Sequence, residues 1–349
     1  MKKLFLAAAV VFTSALCPLT SYMAWAQDYR FSQYYANPLR LNPAMMGANS
    51  DMKFILGYRS QWSAIQKGFT TMSFTGMYPL FMKSGGKLDI GLSAINDKAG
   101  AFNTMDAALS IDYNKEIAAD NNLCLALLGG YVQKSLDAAN LTFDSQYVLG
   151  SYTSSNPSNE QVVNEKVSYP DVGFGLTWYM NPSRDKSKLN AFAGVAGFHL
   201  NQPNQSLTGA DGKLPVRFSY IGGIKIFGPS KIDLSPNIRV TQQKGNVETA
   251  AGVNVDYNLS DNMKLVLGTW FRRNDAIAFM IGIEHKVFTF GYSYDAVTSS
   301  LSANALSVTA HEITLSYKMK MKPKSASPQL DAGGGKSSGG GKTNPFNTF

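Results

Sequence analysis

From residue 53 to residue 321, apolar and polar side chains alternate with a period near two, in short segments with almost no helical pattern between them. In the segment 247–258, Val247, Thr249, Ala251, Val253, Val255 and Tyr257 share one face, and Glu248, Asn254 and Asp256 lie opposite. In 107–117, Leu109, Ile111 and Tyr113 alternate with Ser110, Asp112 and Asn114. In 305–321, Ile313, Leu315, Tyr317 and Met319 alternate with Glu312, Thr314, Ser316, Lys318 and Lys320. Successive side chains of a strand point to opposite faces, so each such segment predicts a strand with one apolar and one polar side. The predicted strands are 53–62, 69–80, 87–95, 107–117, 123–134, 171–180 and 189–200. They continue with 216–227, 231–242, 247–258, 263–272, 276–285, 287–295 and 305–321.

The joins carry a second pattern. The two longest, 135–170 and 201–215, fall at odd-numbered joins, as does 296–304. Gly228-Pro229-Ser230, 259–262 and the near-direct His285-Lys286 fall at even-numbered ones. Short turns at one end, long loops at the other and an even strand count are the signature of an outer-membrane barrel. The expected fold is all-β: a transmembrane antiparallel up-and-down β-barrel of about 14 strands, with both termini periplasmic, the apolar faces toward lipid and the polar faces toward the lumen. A β-sandwich array or a propeller gives no reason for this parity.

The ends differ from the middle. Lys2-Lys3, an apolar run from Leu4 to Phe12 and Ala24-Trp25-Ala26 read as a signal peptide over 1–26, with Gln27 first in the mature chain. The run is shorter than the ~20 residues of a spanning helix, and Leu16 before Cys17 argues against lipidation. Residues 322–349 hold two glycine triplets, four lysines and one aspartate, and read as a flexible periplasmic tail with a reach of roughly 30 Å. Its end, Asn344-Pro345-Phe346-Asn347-Thr348-Phe349, is a candidate docking peptide, with Phe346 and Phe349 as its anchors.

Composition narrows the function. Only 16% of residues are charged and 12% are aromatic, which suits strands that face lipid and end in aromatic girdles. The formal charge of +8 invites nucleic acid as a partner. An exported chain without a compact basic patch or binding motif argues against that. Once the leader is removed Cys124 is the one cysteine, so neither an intrachain disulfide nor a cysteine metal site is expected. The three histidines, His199, His285 and His311, fall in separate strands, and the neighbours in His311-Glu312 point to opposite faces. No Gly-x-Ser-x-Gly, His-Glu-x-x-His or phosphate loop is present. The chain is expected to be no enzyme and to use no cofactor or metal.

Between leader and barrel, residues 27–51 are dense in Tyr, Asn and Pro, and Pro38 and Pro43 make a regular central strand unfavourable. An ordered irregular segment is expected, a plug or periplasmic collar ahead of a barrel over 52–321. Phe31-Ser32-Gln33-Tyr34, Asn37-Pro38-Leu39 and Leu41-Asn42-Pro43-Ala44, closed by Gly47, resemble the opening motif F-S-Q-Y-x-x-N-P-L-x-L-N-P-A-x-x-G of the PorP/SprF family. These are outer-membrane proteins of the type IX secretion system of Bacteroidetes. Tyr58-Arg59-Ser60-Gln61-Trp62 is similar to the family's Y-R-x-Q-W. Leu141-Thr142-Phe143-Asp144-Ser145-Gln146 is similar to its L-x-F-x-x-Q, with Asp144 and Ser145 departing from the family's Gly and Asp. Gly291-Tyr292-Ser293-Tyr294-Asp295 and His311-Glu312-Ile313 resemble its last two strands.

The resemblance implies a non-catalytic component of the secretion and gliding machinery, reached by Sec-type export. It would support secretion of a large adhesin, or hold one at the cell surface through the adhesin's C-terminal domain. The implied partners are outer-membrane lipid, that adhesin and periplasmic ring components of the machinery. Candidate residues are Phe31, Ser32, Gln33, Tyr34, Asn37, Pro38, Asn42, Pro43 and Gly47 in the first segment, and Tyr147, Tyr152 and Asn156 in the long loop. The alternative is a diffusion porin or solute channel, since fourteen strands enclose a lumen.

Overall fold

The computed structural model describes residues 28–63, 68–82, 86–137, 141, 144–148, 151–153, 155–157, 164–180, 190–209, 211–228, 231–299 and 309–321. The leader and the tail, with Phe346 and Phe349, lie outside the described residues.

The strands are β1 (Met52–Gln61), β2 (Phe69–Phe81), β3 (Lys87–Ala99), β4 (Phe102–Ala118) and β5 (Asn121–Leu136). A two-strand hairpin follows, β6 (Tyr147–Val148) and β7 (Ser151–Tyr152). Then come β8 (Lys166–Met180), β9 (Asn190–Phe198), β10 (Arg217–Phe227), β11 (Ile232–Gln243) and β12 (Asn246–Ser260). The last are β13 (Met263–Arg272), β14 (Ala276–His285), β15 (Phe288–Val297) and β16 (Thr309–Met319). All but β6 and β7 form one closed barrel, each strand antiparallel to its chain neighbour, and β1 closes on β16 with Met52 opposite Met319 and Gln61 opposite Ala310. Closure leaves no edge strand and pairs the backbone polar groups internally, as a hydrocarbon solvent demands.

All fourteen predicted segments are barrel strands, and several run further at the long-loop end. β3 continues through Asn96, Asp97 and Lys98 to Ala99, and β8 begins at Lys166 rather than at 171. Polar residues there keep the ladder going above the apolar band, so hydrophobic alternation alone ends too early. At that end Lys244 and Gly245 join β11 to β12 with φ of +42° and +84°. Two successive left-handed residues give a turn whose twist matches the strands it joins.

The alternation maps onto the wall as expected on most strands. Leu109, Ile111 and Tyr113 are 41–50% exposed, while Ser110, Asp112 and Asn114 are buried inside. On β16, Ile313 and Leu315 face out and Glu312 and Thr314 face in. β5 departs from this. Its inward residues include Cys124, Ala126, Leu128 and Val132, all buried. These side chains meet no lumenal water, because the N-terminal segment and a folded-in loop pack against them. Tyr34, Leu39, Met45 and Met46 of the segment join Cys124, Ala126, Tyr179 and Trp270 of the wall in one apolar cluster. Leu214, from the join between β9 and β10, packs with Val132 and Tyr169. The barrel has a core where a porin has a channel.

Candidate functional site

The core exists because residues 28–51 run through the lumen. The segment folds as a 3-10 turn (Tyr34–Ala36), a one-turn helix α1 (Pro38–Leu41) and a second 3-10 stretch (Pro43–Ala48). Pro38 and Pro43 each open a helical turn, where their missing N–H is no loss. Asn42 caps the second turn: its Oδ1 accepts the Ala44 N–H at 3.0 Å. Every residue from Phe31 to Ala48 is buried.

Three sets of polar contacts hold the segment to the wall. The first is a clamp on Ser32 and Gln33. Their backbone N–H groups donate to the two oxygens of Glu312, at 2.7 and 3.0 Å. The Ser32 hydroxyl lies 2.7–2.8 Å from both Asp295 oxygens and accepts from Arg59 and Arg272 at 2.7 Å. Arg59 also reaches Asp295 at 2.7 Å and Glu312 at 3.0 Å, and Arg272 reaches Asp295 at 2.8 Å. Two arginines balance two carboxylates, all buried. Breaking such a set by removing one member costs about 3–5 kcal/mol. Gly291 makes the approach possible, since a β-carbon there would collide with the Gln33 side-chain carbonyl.

The second set surrounds Asn42 on the opposite wall. Its amide donates to Thr177 Oγ1 at 3.0 Å and to the carbonyls of Leu176 and Val195 at 3.2 and 3.3 Å. Nearby, the Gly47 carbonyl accepts from Asn114 at 2.5 Å, and Lys87 donates to the Asn49 carbonyl. Contacts on β1, β13, β15 and β16 and on β8 and β9 place the segment across the lumen rather than along one side.

The third set lies at the long-loop end. Arg40 pairs with Asp106, which also accepts the Tyr29 hydroxyl at 2.8 Å. His199 bridges Asp171 and Asp28, 2.9 Å from each, and Arg217 sits 3.1 Å from Asp28. Burial alone would lower the His199 pKa. The Asp28 charge and the hydrogen bonds to Asp171 and Asp28 outweigh it and raise the value to about 9. At pH 7 both ring nitrogens therefore donate. Burial opposes the Asp28 charge, but His199 and Arg217 hold its carboxyl well below the usual carboxylate range.

This third set fixes which way the segment runs. His199 directly follows β9 at the end where β1 finishes, whereas Met319 pairs with Met52 at the end where β1 starts. Asp28 and Met321 therefore lie at opposite ends of the barrel. The chain enters the lumen at the long-loop end and crosses it before β1 begins. Hydrophobic alternation carries no information on which way an irregular segment runs.

Between the segment and β10–β13, at the long-loop end, a cavity of about 360 Å³ opens. Five arginines line it, Arg30, Arg40, Arg217, Arg239 and Arg273, with Asp28, Glu248 and Asp275 as the acidic members. Arg30 reaches Glu248 at 2.9 Å, and Arg239 also pairs with Glu248.

The motif candidates Phe31, Ser32, Gln33, Tyr34, Asn37, Pro38, Asn42, Pro43 and Gly47 thus gather in the lumen. Tyr147 and Tyr152 are elsewhere: they pair across β6 and β7 with ring centroids 5.5 Å apart, both exposed. Asn156 exchanges hydrogen bonds with Gln146 at 3.2 and 3.3 Å and fixes that loop. Sequence reasoning missed Arg59, Arg272, Asp295 and Glu312 as the partners of the motif. The available signal was full charges on the inward face of strands destined for a membrane, which need an internal counter-charge. His311 faces outward with its Nδ1 2.8 Å from the Tyr292 hydroxyl, while Glu312 points in.

Comparison with known proteins agrees with this architecture. The family described as type IX secretion system membrane protein PorP/SprF matches residues 24–317. No curated protein matches the chain. Among solved structures, a Pseudomonas aeruginosa FadL homologue aligns with a TM-score of 0.52 and 9% identity, over 80% of this chain and 92% of that one. A deletion mutant of the TodX monoaromatic hydrocarbon channel aligns with a TM-score of 0.50 and 10% identity, over 82% and 94%. At such identities the likeness concerns the fold.

Proposed function

The chain belongs to the PorP/SprF family of type IX secretion system membrane proteins, and on that premise we propose that it is a membrane-held mount for a large secreted adhesin rather than a pore. The observation that carries this reading is the filled lumen: residues 31–48 are buried and hydrogen-bonded to opposite walls. An open channel needs the space this segment occupies. The mount has no reacting groups to supply. It offers a rigid end surface, since clamp and core tie the segment to the wall.

In this reading the leader is removed on Sec-type export, the short turns face the periplasm and the long loops face outward. The exposed pair Tyr147 and Tyr152 and the mouth cavity then meet the adhesin's C-terminal domain. The glycine- and lysine-rich tail follows β16 into the periplasm, within reach of ring components of the machinery. The channel reading draws on a fold neighbour that is a monoaromatic hydrocarbon channel, and the filled lumen weighs against it. The test is deletion of the protein in its own cells. Loss of one large adhesin from the surface, with other secreted proteins unchanged, is expected. Normal display of every surface adhesin would overturn the mount reading.

A further inference from the structure

The mouth cavity has chemistry of its own. Its acids are already engaged: Asp28 by His199 and Arg217, Glu248 by Arg30 and Arg239, and Asp275 by Arg272 at 2.8 Å. Arg273 is exposed and carries no ion pair among the described residues, so the lining holds unmatched positive charge. In the same wall, Asn37 Nδ2 and Ser219 Oγ are buried with no hydrogen-bond partner among the described residues. Turning the Ser219 hydroxyl toward an incoming acceptor breaks no existing bond, and Asn37 can offer Nδ2 while its Oδ1 keeps the Thr75 hydroxyl at 3.2 Å.

We propose that this cavity binds a carboxylate of an extended acidic peptide segment presented by the secreted partner, an inference that rests on the mount reading above. A guanidinium fork matches a carboxylate with two parallel hydrogen bonds. The mouth is partly walled by the segment and by β10–β12, which strengthens that attraction relative to open water. The neighbouring acids disfavour a phosphate dianion, whereas Thr241, Gln243 and Asn246 in the lining supply donors and acceptors for a peptide backbone. The volume falls in the range of small-ligand pockets, about 300–1,000 Å³, so it takes a few residues of a chain and not a folded domain. The opening between the β11–β12 and β13–β14 turns puts the site on the end that the partner reaches.

The test uses the full-length protein in detergent micelles and calorimetric titration with three probes. They are acetyl-Ser-Asp-Glu with a free terminal carboxylate, the amidated acetyl-Ser-Asn-Gln, and inorganic phosphate. The acidic peptide should bind at least tenfold more tightly than either other probe. The double substitution Ser219→Ala with Arg273→Gln should weaken it at least tenfold. Both positions border the mouth, and unheated gel migration verifies that the variant barrel is folded. Arg273→Lys alone, which keeps the charge but not the two-pronged fork, should bind more weakly than the wild type and more tightly than the double variant. Equal binding of the neutral peptide, phosphate binding as tight as the peptide, an unaffected double variant or no binding at all would each overturn the proposal. The mount reading would survive any of these, because it stands or falls on adhesin display in the deletion strain.

Discussion

Replacing Glu312 with glutamine tests whether the clamp holds the segment in the lumen. Glu312 is fully buried, and its two oxygens accept three donors: the N–H groups of Ser32 and Gln33 and the Arg59 guanidinium. An amide of the same shape keeps one oxygen and turns an NH2 toward a donor. The Ser32 side can remain satisfied, but the Gln33 N–H then faces another donor, and Arg59 loses one of its two counter-charges. A hydrogen bond to a charged group contributes about 1.5–3 kcal/mol, and a buried donor left unpaired costs about 1–3 kcal/mol. Losing part of each gives about 3 kcal/mol, so the equilibrium for release of residues 31–36 shifts by about two powers of ten. Amide hydrogen exchange on the intact barrel reads this directly. The peptide covering residues 31–36 should exchange about a hundredfold faster, while β4, β5 and β8 keep their protection. Unchanged exchange in the 31–36 peptide would refute the clamp as the device that holds the segment.

Three further outcomes follow from the same geometry. His199, whose folded pKa is raised to about 9, contributes stability that is fully present below its ordinary value near 6.5 and is lost as pH rises through about 9. The protection factor at residues 28–30, which is the exchange rate corrected for its intrinsic rise with pH, should therefore fall between pH 7 and 10 in the wild type and stay flat in His199→Gln. Asn42→Ala removes three donated bonds and a helix cap, and should cost about 2–3 kcal/mol of segment docking, seen as a lowered thermal midpoint. Gly194→Val places side-chain carbon against the Asn42 amide and the Thr177 hydroxyl. It should expose Arg40 to trypsin in the folded barrel, with cleavage no faster than wild type as the contrary result.

Much of the fold was legible because a barrel wall is a local pattern repeated. Each strand needs only alternate side chains of opposite character, and Leu109 beside Ser110 or Ile313 beside Glu312 shows this without knowledge of any neighbour. The motif residues stood out as well, since Pro38, Asn42 and Pro43 suit capped turns and no strand. What they touch was not legible. Ser32 meets Asp295 and Glu312 across more than 260 residues, and no local pattern encodes such a pairing. The apolar inner face of β5 was also hidden, because Cys124, Ala126 and Leu128 alternate with Leu123, Leu125 and Leu127 and the strand reads apolar throughout. Their burial makes sense only once the segment is seen to replace water. The direction of that segment, from the long-loop end to the start of β1, depends on His199 and Asp171 finding Asp28.

The central claim is that this barrel is filled and acts as a mount. Ion conductance of the purified protein in planar bilayers tests it most directly. The wild type should insert without a steady current, and Glu312→Gln should show intermittent openings as the segment leaves the clamp. A stable open conductance from the wild-type protein, unaltered by substitutions in the clamp, would contradict the account and make the molecule a channel.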